Sequence, residues 1–449
     1  MTCNDALLQR SLNAVWHPCT QMKHHAETGA ASLPLIPIAR GNGVWLYDFD
    51  GKRYLDAISS WWVNLFGHAN PRINAALREQ MDELEHVILA GFTHRPAIEL
   101  SERLSALTGG VLGHCFFASD GASATEIALK MSFHFWRNRG NGKKQDFLCL
   151  KGGYHGETAG ALSVTDVPLF KDAYAPLVRV SATVDSPDAR LARDGETPAD
   201  VARRTADSLR RHLEAHHETT AALIVEPLVQ CANGMSMYDP EYLRRARALC
   251  DQYSVHLICD EIAVGCGRTG TFFAHEQAAI RPDILCLSKG ISGGYLPLSI
   301  VLTTNAVFEA FYDDATARGF LHSHSYTGNA LACRAALETL NIFESDGIIE
   351  KNRALSAHIA CCIAHIAEHP RVKNPRQRGM IAAFDVATDD PGFSRKFYRE
   401  ALKREILLRP IGTTVYFMPP YTITRDECEF LAQRTSETLA AALEDSGEK

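Results

Sequence analysis

A chain of 449 residues exceeds what one small hydrophobic core can organise and predicts two or more domains. Hydrophobic residues at 46% and charged residues at 22% exclude a largely disordered chain, and a formal net charge of −7 leaves no basic surface for nucleic acid. No apolar run approaches the ~20 residues of a membrane span, which argues against a membrane protein.

The N-terminus, Met1 to Arg10, contains Asp5 and no apolar stretch, so no export signal is expected. Thirteen cysteines without CxxC spacing then predict reduced thiols in a cytoplasmic protein, and nineteen histidines without an HExxH or metal-spaced cluster predict no metal site. Residues 1–70 show hairpin-like alternation at Val44–Leu55 and are expected to pack with the C-terminal tail. From 71 to 328, short apolar strands alternate with amphipathic helices, the pattern of an α/β layer with a mainly parallel sheet. The predicted strands are Cys115–Ala118, Phe147–Leu150, Ala222–Val225, His256–Cys259 and Ile284–Leu287. Ile127, Met131 and Phe135 share one face of a helix at Ala122–Arg137. The polar stretch Ser181–Pro198 reads as a surface excursion, and Arg203, Arg204, Arg210 and Arg211, interrupted by Asp207 and Glu214, read as a solvated helix face. Asp239 and Pro240 open a helix that carries Leu243, Ala246 and Cys250. Residues 329–449 are expected to form a connecting helix, from Gly328 to about Ser345, and from about Lys351 a smaller α+β domain with strands at Ala382–Val386 and Thr414–Met418.

Three motifs compete in the middle of the chain. His256-Leu-Ile-Cys-Asp260-Glu261 imitates the magnesium-holding box of P-loop ATPases, but no GKS or GKT occurs anywhere. Gly265-Cys-Gly267-Arg-Thr-Gly270 matches GxGxxG, yet trails its strand and lacks the acidic residue at the expected offset. The third reading pairs Asp260, ending one strand, with Lys289, ending the next. Ligands in α/β sheets bind at the carboxyl ends of strands, so both side chains would face one crevice. A lysine forms a Schiff base with an aldehyde cofactor, and an aspartate keeps a pyridine nitrogen protonated. Either residue alone reads more readily as a turn aspartate or an exposed lysine. Upstream, Ser119-Asp120-Gly121-Ala122-Ser123 runs from strand into helix and offers backbone N–H groups to a phosphate, while Ser123 with Glu126 also fits a capping box. Lys151-Gly-Gly-Tyr154-His155-Gly156 places an aromatic ring in a glycine-rich loop, where it can stack on a flat cofactor.

Taken in chain order, these features resemble the fold-type I, class III pyridoxal-phosphate aminotransferases over essentially the whole chain. The signature is Asp260-Glu-Ile-Ala-Val-Gly-Cys-Gly-Arg268-Thr-Gly followed by Leu287-Ser-Lys289-Gly-Ile-Ser-Gly-Gly. Within the class, five segments are similar to the branch that aminates 8-amino-7-oxononanoate in biotin biosynthesis with S-adenosylmethionine as donor. They are Trp16-His-Pro-Cys-Thr20, Ser59-Ser-Trp61-Trp62, Gly91-Phe-Thr-His94, Leu408-Arg409-Pro410 and Tyr416-Phe-Met-Pro-Pro-Tyr421.

The resemblance implies that Lys289 holds the cofactor and shuttles the proton, Asp260 contacts the ring nitrogen and Tyr154 flanks the ring and the substrate. It places the phosphate on Gly121, Ala122 and Ser123, and substrate on Cys19, Trp61, Arg268, Arg409 and Tyr416, with Arg409 taking a carboxylate. It also implies a homodimer in which His324 and Ser325 complete the partner's phosphate site and Ser323 meets substrate. Three departures stand out: Cys19 where many members have tyrosine, Ala122 where glycine is common, and Ser323-His324-Ser325 in place of Gly-Pro-Thr. Another class III activity (on ω-amino acids, ornithine or diamines), an aminomutase and a non-catalytic cofactor-binding module are the alternatives.

Overall fold

The computed structural model describes residues 2–27 and 32–444. The chain divides into two compact units, one of residues 72–349 and one formed by residues 1–71 with 350–449.

The larger unit is built on seven strands, numbered here in chain order: β1 His114–Ala118, β2 Asp146–Leu150, β3 Ala182–Val184, β4 Thr220–Val225, β5 His256–Asp260, β6 Ile284–Leu287 and β7 Ser299–Thr303. Their order in the sheet is β1-β7-β6-β5-β4-β2-β3. All neighbours are parallel except β7, which runs antiparallel to both β6 and β1. Every residue of β4, β5 and β6 is buried, as central parallel strands covered on both faces require. Helix Gly121–Asn138 lays Ala124, Ile127, Ala128 and Met131 against Cys149, Ile224, Ile258, Cys286 and Val301. Burial of a side chain such as Ile127 or Met131 stabilises by roughly 1.5–3 kcal/mol.

Two expectations change. Ser181–Pro198 is not wholly a surface excursion, because Ala182–Val184 pairs with β2 at the sheet edge and Val184, Ser186 and Asp188 are buried. Its polar composition concealed a three-residue strand, too short for an alternation to register. The strand β7 was also missed: it follows the lysine loop directly, with no α-helix before it to mark a new unit. The arginine-rich helix, Pro198–His216, does turn its charges to nearby acids, with Arg210 at 2.7 Å from Glu214 on the helix and Arg204 at 2.8 Å from Glu196 just before it.

In the other unit, a four-stranded sheet joins Ile38–Asn42, Trp45–Asp48, Arg53–Asp56 and Ile406–Leu407, and a three-stranded antiparallel sheet joins Val372–Arg378, Ile381–Val386 and Thr414–Phe417. Ile406 pairs with Leu55 in parallel, so residues 351 positions apart in sequence share one sheet. Helix Phe393–Lys403 packs with helix Arg425–Leu443 in the same unit. Among the described residues, no helix is long and apolar enough to cross a membrane.

Candidate active site

Because β5 and β6 are parallel, their carboxyl ends emerge on one edge of the sheet. Asp260 is the last residue of β5, is 4% exposed and lies in register with Cys286 of β6. Lys289 follows β6 and opens a single 3-10 turn, Lys289–Ser292, with φ of +46°. A left-handed φ in a residue with a Cβ costs on the order of 1–3 kcal/mol and persists where the surroundings hold it. Burial pushes the Lys289 ammonium below the ordinary lysine range, while the charges of Asp260, Cys231 and Glu226 pull the other way. The absence of a side chain at Gly293 makes room for protein: a Cβ there would stand 2.7 Å from Ile73 Cδ1 and 3.0 Å from Thr339 Oγ1.

The Asp260 carboxylate is fixed from two sides. Its Oδ1 accepts from the Ile262 N–H at 3.1 Å and its Oδ2 meets His155 Nδ1 at 2.7 Å. His155 is 2% exposed and comes from the loop after β2, beside Tyr154. Facing a carboxylate, Nδ1 carries the proton of that bond. The sequence reading missed His155, since nothing in its spacing reveals a partner 105 residues away. Tyr154 has its N–H on Glu226 Oε2 at 3.0 Å, its hydroxyl on Glu157 at 2.9 Å and its ring 5.3 Å from that of Phe170.

Glu226 was missed too, although its place just past β4 obeys the same strand-end rule as Asp260. Burial raises its carboxyl to about 7, with the Asp260 charge adding and His155 and the Tyr154 and Cys231 N–H groups opposing. A folded value above the unfolded 4.5 means that the stability this group contributes is present below that pH and is lost as pH rises through about 7. Glu226→Gln cannot ionise. The melting temperature of the natural protein should therefore fall relative to the variant between pH 5 and pH 8, and parallel pH profiles would show that the buried carboxyl does not titrate there.

The turn expected to receive a phosphate is capped differently from the expectation. Asp120, not Ser123, caps the helix Gly121–Asn138: it accepts from Ser123 N at 2.9 Å and from Ser123 Oγ at 3.0 Å. Glu126 turns away to Thr158 and the Gly160 N–H, both at 2.6 Å, so no capping box forms. That leaves the N–H groups of Gly121 and Ala122 leading the helix without an acceptor among the described residues. They are the donors an anion takes at a helix N-terminus. Gly156 has φ of +121° and lets the His155 loop close on this turn, because a Cβ there would lie 2.6 Å from that of Ala122.

The segment Ser323-His324-Ser325 reaches the same turn, with His324 Nδ1 at 3.3 Å from Ser119 Oγ. His322 stands 2.8 Å from Lys130 Nζ, and His86 holds the Ser325 carbonyl at 2.9 Å. Ser323 and Ser325 are exposed. Arg268 is 1% exposed and lies within electrostatic reach of Cys231, as Lys289 does. In this unit, then, a lysine and a buried carboxylate at neighbouring strand ends, an aromatic ring and a pair of leading N–H groups come together, and the set fits a phosphorylated pyridine aldehyde.

The remaining residues singled out from sequence, Cys19, Trp61, Arg409 and Tyr416, gather in the other unit. Arg409 donates from Nη2 to the Cys19 carbonyl at 3.3 Å, and its guanidinium carbon stands 5.5 Å from the centre of the Trp61 ring. Among the described residues it has no acidic partner. Tyr416 is buried in its strand and accepts at its hydroxyl from Trp62 Nε1 at 3.1 Å. Trp61 and Trp62 sit on an unusual turn: Ser59, Ser60, Trp61 and Trp62 have φ of 51°, 45°, 74° and 72°. Trp62 N bonds to the Ile58 carbonyl at 2.8 Å and Val63 N to that of Ser59 at 3.0 Å, which closes one left-handed helical turn. Each non-glycine residue so placed costs roughly 1–2 kcal/mol.

Comparison with known proteins agrees with this geometry. A family model described as Aminotransferase class-III matches residues 26–439. The adenosylmethionine-8-amino-7-oxononanoate aminotransferase of Helicobacter pylori is 47% identical to this chain, over 95% of it and 96% of that protein. The crystal structure of the enzyme of that name from Methanocaldococcus jannaschii matches with a TM-score of 0.90 at 32% identity, covering 97% of this chain and 99% of that one. A thermostable (S)-enantioselective omega-transaminase from Thermomicrobium roseum matches with a TM-score of 0.92 at 31% identity, covering 99% of this chain and 100% of that one.

Proposed function

The chain belongs to the class III aminotransferases and is a pyridoxal-phosphate-dependent enzyme, and we propose that it aminates 8-amino-7-oxononanoate to 7,8-diaminononanoate in biotin biosynthesis. S-adenosylmethionine is the donor in this reading. Its support is the shared name of relatives that match nearly the full chain, together with one observation in the structure. Arg409 stands beside Trp61 without an acidic partner among the described residues, which suits the carboxylate at the end of an apolar substrate chain.

When bound, pyridoxal phosphate supplies an aldehyde for amines and a ring that withdraws electrons from the substrate carbon. The chain does the rest. Gly121 and Ala122 hold the phosphate with backbone N–H groups at the head of their helix. Tyr154 flanks the ring. Asp260, kept in place by His155 and the Ile262 N–H, holds a proton on the ring nitrogen. Lys289 would hold the cofactor through its aldehyde. Its amine, favoured in the neutral form by burial, then carries the proton away from the substrate carbon. Donor and acceptor take turns at this one lysine, so the reaction divides into two half-reactions.

A second copy of the chain completes the site in this reading. Leu321 and Tyr326 are 74% and 66% exposed on the segment that carries Ser323 and Ser325, apolar surface that a partner subunit would cover.

Arg409→Ala tests the substrate assignment. Hydrogen bonds to a charged group are worth ~1.5–3 kcal/mol, so the acceptor half-reaction should weaken by roughly ten- to a hundredfold while the S-adenosylmethionine half-reaction loses less. Each half-reaction is followed separately by the change in cofactor absorbance. Equal losses in both, with a lowered melting temperature, would make Arg409 a structural residue. The fold is shared with omega-transaminases, so a single-turnover comparison of S-adenosylmethionine, lysine and simple ω-amines as donors decides between the two readings.

A further inference from the structure

The turn that carries Trp61 and Trp62 contains no glycine, yet all four of its residues are left-handed. Left-handed backbone is routine for glycine and occasional for single Asn or Asp residues, and a run of four needs outside support. Asp56 provides it. Its carboxylate is fully buried and accepts four hydrogen bonds: from Ile58 N at 3.4 Å, Ser60 N at 2.9 Å, Ser60 Oγ at 2.7 Å and His68 Nε2 at 3.0 Å. His68 is held in turn by Asn64, with Nδ1 at 3.2 Å from the Asn64 amide nitrogen. Two further bonds tie the turn down, Ser59 Oγ to the Met418 carbonyl at 2.7 Å and Trp62 Nε1 to Tyr416. With Trp62 fixed inward in this way, the hand of the turn decides where the exposed Trp61 ring points, and it points at Arg409.

We propose that Asp56 is a positioning residue for substrate selection: by holding Ser59–Trp62 left-handed it aims the Trp61 indole at Arg409 and so shapes the slot for an aliphatic chain ending in a carboxylate. The inference rests on the reading that Trp61 and Arg409 receive the acceptor. A buried carboxylate is costly to keep unless every lone pair is used, and here the donors all belong to the turn or to the histidine behind it. Neither Asp56 nor Ser60 touches the substrate in this account. Their effect runs through the direction of one ring.

The test compares Ser60→Ala with Ser60→Gly. Both lose the hydroxyl bond to Asp56, and they differ only in how readily residue 60 adopts φ of 45°. The alanine variant should raise KM for 8-amino-7-oxononanoate about five- to thirtyfold over the glycine variant, the weight of one left-handed residue with a Cβ, and leave kcat within about twofold. Asp56→Asn should raise the same KM further, and Asp56→Asn combined with Ser60→Gly should recover most of that loss. The donor half-reaction should change little throughout. Equal acceptor KM values for the two Ser60 variants, or equal damage to both half-reactions, would overturn the proposal. If Asp56→Asn fails to fold, the Ser60 pair decides alone. If the natural protein does not aminate 8-amino-7-oxononanoate, the functional reading fails by itself, and Asp56 is then judged on the tryptophan near-UV circular dichroism of the cofactor-free variants. A spectrum altered in Ser60→Ala and natural in Ser60→Gly upholds the turn, and two unaltered spectra reject it.

Discussion

Lys289→Ala is expected to abolish the visible absorbance of a lysine-bound cofactor and to lower turnover by roughly 10²–10⁴-fold from loss of the general base alone. Loss of the covalent anchor adds to that. The amine is suited to both tasks because burial disfavours its charged form, with Asp260, Cys231 and Glu226 keeping the shift from running away. Damage to the fold should not accompany the loss. Removing a partly buried ammonium leaves no cation to desolvate, and alanine at φ of +46° keeps the strain that lysine already bears. An unchanged or raised melting temperature with lost chemistry is therefore the expected pair of results. Retention of pyridoxal phosphate through Gly121 and Ala122, measured by dialysis of the variant, separates anchoring from binding. A Lys289→Ala protein that cycles at the natural rate would remove the mechanism altogether.

Strand ends were the most legible part of this site. The runs His256–Asp260 and Ile284–Leu287 are apolar enough to announce themselves, and their ends deliver Asp260 and Lys289 without knowledge of the rest. Residues that support those two were not legible in the same way. His155 meets Asp260 across 105 residues of chain, and that pairing follows from the order of strands in the sheet, which periodicity does not encode. Glu226 could have been found by applying the strand-end rule to β4 as well. The helix start shows the opposite failure: Ser123 and Glu126 have capping-box spacing, but Asp120 is nearer in geometry and takes the role. Asp56 had no signal of its own. Four left-handed residues in Ser-Ser-Trp-Trp contradict local propensity, and only the packing around them shows why the chain accepts it.

Asp260→Asn should slow the proton transfer in both half-reactions by roughly ten- to a hundredfold or more, since the charge-assisted bond that keeps the ring nitrogen protonated is worth ~1.5–3 kcal/mol. Asparagine occupies the same volume and can still accept from the Ile262 N–H, but it presents no carboxylate to His155. The variant should fold, and the loss should appear equally with donor and acceptor because both half-reactions use the same ring. That symmetry distinguishes Asp260 from Arg409, whose loss is expected to fall on the acceptor. His155 offers an independent check on the cause. His155→Asn keeps an N–H close to the place of Nδ1, whereas His155→Phe fills the space and removes the donor. If the bond at 2.7 Å holds Asp260 in its working orientation, the phenylalanine variant should lie between Asp260→Asn and the natural enzyme, with the asparagine variant closer to natural. The pH dependence of the cofactor absorbance should move in the same order. Natural single-turnover rates in Asp260→Asn would show that this carboxylate serves the sheet and not the ring. A His155→Phe protein slower than Asp260→Asn would place the critical proton on the histidine instead.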